Sequence, residues 1–145
     1  MPIDMRAVLH RVVDEIFDEC TFVREEDDHE APYAYGMRLS NRTASSDQKR
    51  HASLAASHEW FEAHVIDLGV SRRNFDYGED EADKEAELRD LAHLVRAYLQ
   101  GEGEVTYRPS LFRRRPMPTL KVETNGVRWR LGRSVSSQEE LPDSP

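Results

Sequence analysis

Residues 51–64, HASLAASHEWFEAH, bring His51, His58 and His64 together with Glu59, Glu62 and Trp60 inside one short stretch. Imidazoles and carboxylates bind divalent metals and move protons near neutral pH, so chemistry would be sought here first. His58 to Glu62 spells HExxE, the zinc-binding HExxH pattern with a carboxylate in place of the second histidine. On a helical wheel His51 falls about 20° from His58, and His64 about 120° away across the apolar stripe. A helix would thus let His51, His58 and Glu62 converge as the two-histidine, one-carboxylate metal set of a small metal-dependent enzyme, leaving His64 out. The competing reading is the solvated flank of an amphipathic helix, where polar residues border the apolar stripe as a rule. The second reading is preferred, and neither metal nor other cofactor is expected.

Other patterns carry less. Asp76, Asp80 and Glu87 fit positions 1, 5 and 12 of a calcium loop, but Glu81 stands where that loop needs glycine. Gly101-Glu102-Gly103 follows a helical pattern rather than a strand, the wrong setting for a dinucleotide fingerprint, and no phosphate-loop or nucleophile-elbow motif occurs. Arg113, Arg114, Arg115, Lys121, Arg128 and Arg130 form a basic group that, beside Tyr107 or Phe112, could clamp single-stranded nucleic acid. The net charge of −8 opposes that partner. A nucleic-acid-associated protein is therefore kept as an alternative to the principal reading.

The elements that must position these residues follow from periodicity. Met5, Val8, Leu9, Val12, Val13, Ile16, Phe17 and Cys20 recur at helical spacing and predict a helix over about 4–19, with Cys20 in the core. Tyr33, Tyr35, Met37 and Leu39 alternate as on a half-buried strand, with 21–24 as its partner and the acidic run 25–30 as the loop between them. Leu54, Phe61, Val65 and Leu68 fall on one stripe and predict a second helix over 46–68, closed by Gly69. Trp60 lies about 120° from that stripe and either packs under another helix or stands exposed as an anchor. Residues 70–80 read as irregular, and Leu88 to Leu99 as a third helix ending before Gly101.

Asn125-Gly126 is a two-residue hairpin signal, because both central positions of a type I′ turn need positive φ. It sets Thr124 against Val127, Glu123 against Arg128, Val122 against Trp129, Lys121 against Arg130 and Leu120 against Leu131. Val105 and Tyr107 suggest a preceding strand, 108–118 a loop or short edge strand, and 134–145 a disordered tail. The expected fold is a single α+β domain over 1–133. An antiparallel sheet of about five strands packs against about three helices in the order α-β-β-α-α-β-β-β.

The chain has 145 residues, one cysteine, and no run near the ~20 apolar residues of a membrane span. It reads as a cytoplasmic protein without membrane partner or recognisable export signal. Its charge is divided. Residues 1–104 hold 24 acids against 12 lysines and arginines, while 105–133 hold one acid against eight. The acids concentrate at Glu25, Glu26, Asp27, Asp28 and Glu30, and again at Glu79, Asp80, Glu81 and Asp83.

In small size, acidic balance and these two surface runs the chain resembles bacterial immunity proteins of polymorphic toxin systems, a resemblance of composition and architecture without a family motif. It implies a non-catalytic module that neutralises a basic protein partner such as a toxin. The partner-binding residues would be those nine acids with Trp60, and no small-molecule substrate is implied.

Overall fold

The computed structural model describes residues 3–27, 34–43, 45–108 and 117–133. Helix α1, Met5–Ile16, starts at Asp4, whose Oδ1 accepts the Ala7 N–H at 3.1 Å, and buries the stripe Met5, Val8, Leu9, Val12, Val13 and Ile16. It stops three residues before the expected end. Asp18 takes over the chain, its carboxylate accepting the Thr21 N–H at 2.9 Å and its carbonyl the Phe22 N–H at 3.0 Å. That turn puts Phe22 edge-on to Phe17, ring centroids 5.1 Å apart, and leaves Cys20 exposed rather than in the core.

Five antiparallel strands follow as a meander: β1 Phe22–Asp27, β2 Tyr35–Asn41, β3 His51–Ala56, β4 Trp60–Val65 and β5 Val70–Phe75, with a 3₁₀ turn at Ser46–Gln48 before β3. Two expectations fail here. The segment 46–68 is a hairpin and not a helix, and 70–80 opens with a strand. The physical reason lies in the alanines. Ala52, Leu54 and Ala56 on β3, and Phe61, Ala63 and Val65 on β4, are all buried and alternate with His51 and Ser53, and with Trp60, Glu62 and His64. This is a period of two, masked because small helix-favouring residues fill half of its core positions. The turn is set locally: the Ser57 N–H donates to the Trp60 carbonyl at 2.9 Å, and Ser57 Oγ accepts from the N–H groups of Glu59 and Trp60.

Helix α2, Glu81–Leu99, is N-capped by Asp80, which accepts from Ala82 and Asp83 at 2.8 and 3.3 Å. Three further strands, β6 Glu104–Arg108, β7 Met117–Thr124 and β8 Val127–Arg133, form a second antiparallel group. The turn residues Asn125 (φ 53°) and Gly126 (φ 77°) are left-handed as a type I′ turn demands. All five expected β7–β8 pairs occur in the expected register.

The strand order β1-β2-β3-β4-β5-β8-β7-β6 makes one eight-stranded antiparallel sheet with two helices, in place of about five strands and three helices. The α+β class and the antiparallel sheet are as expected. Both helices pack on the face that carries Leu39, Leu54, Phe61 and Val65, and with Leu120, Val122 and Leu131 these form a continuous core. Arg11 bridges to Glu81 and Glu85, and Arg89 to Glu15 and Glu85, tying α1 to α2 on their solvent side. No described helix is long and apolar enough to cross a membrane.

Candidate interaction surface

No described helix packs on the second face of the sheet; of the residues that alternate away from the core, Glu25, Asp27 and Arg38 are exposed, Ser53, Glu62, His64, Ser71 and Arg73 are half-buried, and Ala55 is buried. From β1 to β5 one row reads Glu25, Arg38, Ser53, His64, Ser71, and the next Asp27, Gly36, Ala55, Glu62, Arg73. Beyond these Trp60 faces Phe75 across β4 and β5. Phe75 stacks on Tyr77, ring centroids 6.0 Å apart and planes 15° from parallel. The Arg73 guanidinium lies 4.6 Å from the centre of the Trp60 ring and donates to Glu62 at 3.1 Å. Tyr77 is 71% exposed and Phe75 44%. Tryptophan, tyrosine, phenylalanine and arginine are the residues enriched in the energetic centres of protein interfaces.

Beside Tyr77 a concavity of about 670 Å³ is lined by Ile3, His58, Glu59, Gly78, Glu79 and Lys84. Lys84, a buried cation of its lining, is already held by backbone: Nζ donates to the carbonyls of His58 at 2.6 Å and Asp76 at 2.7 Å. Among the described residues the exposed carboxylates of the hollow are those of Glu59 and Glu79. Trp60 is half-buried on the face away from both described helices.

The acids expected to bind a partner divide by parity and by engagement. Glu25, Glu26 and Asp27 belong to strand β1, not to a loop. Glu26 points to the helix side, where Arg6 donates to it at 3.0 and 3.2 Å and His10 lies at 2.7 Å. The hydrogen bond from Arg6 holds the Glu26 carboxyl below its ordinary value. Glu25 and Asp27 lie on the open face, Asp27 3.9 Å from Arg38. Asp80 is spent on the helix cap and Glu81 faces Arg11, while Glu79 and Asp83 are exposed. Asp28 and Glu30 lie outside the described residues.

The expected metal set is not assembled. With 46–68 a hairpin, His58 sits in the turn, and His51 and Glu62 lie at opposite ends of the β3–β4 ladder. Glu62 pairs with Ala55, four residues from His51, or about 13 Å along a strand. Among the described residues no group of three or more histidine, cysteine, aspartate or glutamate side chains is placed to hold a metal. His51 has a different partner: Asp67 accepts the His51 N–H at 2.7 Å and the Tyr98 hydroxyl at 2.8 Å, and lies 3.1 Å from the His51 ring. Burial, and secondarily the bond to Asp67, push the Tyr98 hydroxyl above its ordinary value. The carboxylate ties the start of β3, the β4–β5 turn and the end of α2.

Of the arginine-rich third, Arg113, Arg114 and Arg115 lie outside the described residues. Lys121 stands between Glu104 and Arg130 across β6, β7 and β8, and Arg128 lies 3.5 Å from Glu123. Carboxylates thus interleave with the described cations, which is unlike a groove that tracks phosphates.

Arg73, Phe75 and Tyr77 are not marked by the sequence, and Glu59 is marked there only as part of the histidine-rich stretch. The available signal was faint: β5 is polar on both faces, with Arg72 and Asn74 alternating against Ser71 and Arg73, so no period of two in hydrophobicity appears. No protein-family model matches the chain, and neither a curated protein nor a solved structure matches it.

Proposed function

We propose that this chain is a non-catalytic protein-binding module of the inhibitor or immunity type, and that it docks a basic protein partner on the aromatic and acidic end of its open sheet face. One observation carries the reading: Trp60, Phe75 and Tyr77 form a contiguous aromatic group on the face away from both described helices, beside the exposed carboxylates of Glu59 and Glu79. Rigid aromatics supply contact area at small entropic cost, and the carboxylates steer and orient the lysines and arginines of the partner. Asp27 lies three strands from Trp60 and two residues along, about 16 Å, within reach of the same docked surface.

Affinity capture with the wild-type chain and with a Tyr77→Ala, Glu79→Lys variant in parallel tests this. A basic protein retained by the wild type and reduced at least tenfold with the variant, at unchanged melting temperature, is the expected result. Equal capture by both, or capture of nucleic acid alone, would remove the reading.

A further inference from the structure

The two strand groups of the sheet are joined along only a short seam. Strand β5 pairs with β8 at Val70–Arg133 and Ser71–Gly132 and nowhere else, although β5 continues to Phe75 and β8 begins at Val127. From Arg72 onward the pairing ends, so among the described residues 72–75 and 127–131 each have a strand partner on one side only. Between them opens a cleft of about 680 Å³. Its walls carry Arg72, Arg73, Arg128 and Arg130, and Glu87 and Asp90 of α2 line it from the helix side.

The chemistry of the cleft is two-sided. On the open face Arg73, Arg128 and Arg130 project from the two walls, and the buried Nε of Arg73 has no hydrogen-bond partner among the described residues. On the helix side Arg72 donates to Asn74 at 3.0 Å and lies 5.9 Å from the centre of the Trp129 ring, and Asn74 donates to Glu87 at 3.3 Å. Three arginines therefore lie on the outer side, Arg73 bonded to Glu62 at 3.1 Å and Arg128 3.5 Å from Glu123, and a mixed polar floor bearing two carboxylates lines the inner side. A strand in this cleft would present alternate side chains to the two sides.

We infer that the cleft between β5 and β8 accepts an extended segment of a partner protein as an added strand, with carboxylates at alternate positions facing Arg73, Arg128 and Arg130 and uncharged side chains facing Glu87 and Asp90. Main-chain hydrogen bonds to the two strands supply affinity, and the alternating charge supplies register and selectivity. The cleft adjoins the aromatic end, sharing Phe75 with it and Arg73, which stacks on Trp60, but it is engaged by a partner segment of opposite charge.

The test uses the full chain and a ten-residue peptide of alternating threonine and glutamate, with its threonine–lysine counterpart and a glutamate peptide N-methylated at alternate amides. The expected results are binding of the glutamate peptide with Kd below 1 mM and slowed amide exchange at Arg73, Phe75, Arg128 and Arg130, whose N–H groups alternate away from β4 and β7. Binding should be at least tenfold weaker for the lysine peptide, for the N-methylated peptide, and for the Arg128→Glu, Arg130→Glu variant. The side chain of Arg128 is 88% exposed, and a melting curve confirms that the variant folds. Equal binding of the N-methylated peptide would reduce the site to surface electrostatics and overturn strand addition. Protection of the same amides without peptide would assign the cleft to this chain or to a second copy of it. Displacement of the peptide by a single-stranded oligothymidylate at equal charge would assign the cleft to nucleic acid.

Discussion

Lys84 of α2, 2% exposed, places its ammonium 2.7 Å from the carbonyl of Asp76 and 3.5 Å from the carboxylate of the same residue. With the His58 carbonyl as a further acceptor, one side chain joins the β3–β4 turn to the segment that leads from β5 into α2. Those two segments carry Glu59 and Trp60 on one side and Tyr77 and Glu79 on the other. The pin thus fixes the aromatic group from behind. Lys84→Met keeps the stem volume and removes the donor, leaving two carbonyls and a carboxylate without their cation. The expected cost is about 2–4 kcal/mol, read from chemical denaturation. A variant as stable as wild type would show that water replaces the ammonium without loss.

The Asp67 carboxylate offers a second check, because its partners come from distant parts of the chain. Tyr98→Phe removes one hydrogen bond and should cost about 0.5–1.5 kcal/mol. Asp67→Ala removes the acceptor for both Tyr98 and the His51 N–H and should cost more. In a double-mutant cycle the two should be non-additive by at least about 0.5 kcal/mol, as for residues sharing a bond. Additive losses would mean that the hydroxyl and the carboxylate stabilise the fold separately.

Two hairpins of this chain differ in how far their residues declare the pairing. The β7–β8 pairing could be read residue by residue because Asn125-Gly126 fixes the turn and large apolar residues, Leu120, Val122, Trp129 and Leu131, mark one face. The β3–β4 pairing could not. Its core face is half alanine, its turn Ser57-His58-Glu59-Trp60 carries no glycine or proline, and Leu54, Phe61, Val65 and Leu68 happen to satisfy a helical period. The misassigned period displaced every candidate ligand, since side chains gathered on one face of a helix are spread along a strand. Trp60 was legible as an anchor by residue type, but its neighbours Phe75 and Tyr77 were not, because only strand pairing brings β5 beside it.

Acid should weaken the helix pair. The hydrogen bond from Arg11, with that from Arg89, holds the Glu85 carboxyl below its ordinary 4.5. The folded state then binds fewer protons than the unfolded state near that pH. The contribution of Glu85 is complete above about pH 4.5 and is lost as pH falls through the lowered folded value. Melting temperature should therefore decline below about pH 5, and Glu85→Gln should lower it at pH 7 while flattening this decline. An unchanged acid profile in the variant would place the acid sensitivity in other carboxylates. Tyr98 has the opposite sign: its raised value keeps its stabilising effect intact below the ordinary 10.0 and removes it at higher pH.

The acids of β1 separate a structural from a binding role within three consecutive residues. Glu26 faces α1 and takes the hydrogen bonds of Arg6, so Glu26→Lys would set a lysine against Arg6 and His10. It should lower the melting temperature and leave affinity for a basic partner nearly unchanged. Glu25 and Asp27 point the other way, onto the open face that also bears Trp60. Glu25→Lys with Asp27→Lys should leave stability within about 0.5 kcal/mol, as exposed substitutions usually do. The same change should slow association with a basic partner, and more so at low salt than at high salt, because rim charges act through steering. Tyr77→Ala with Glu79→Lys, at the centre of the proposed surface, should instead raise the dissociation rate and cost at least tenfold in affinity, about 1.4 kcal/mol. Association and dissociation rates measured at two salt concentrations for the three variants distinguish these outcomes. If the Glu25, Asp27 variant loses as much affinity as the Tyr77, Glu79 variant, and loses it through dissociation, the centre of the interface lies on β1 and the aromatic group is its rim.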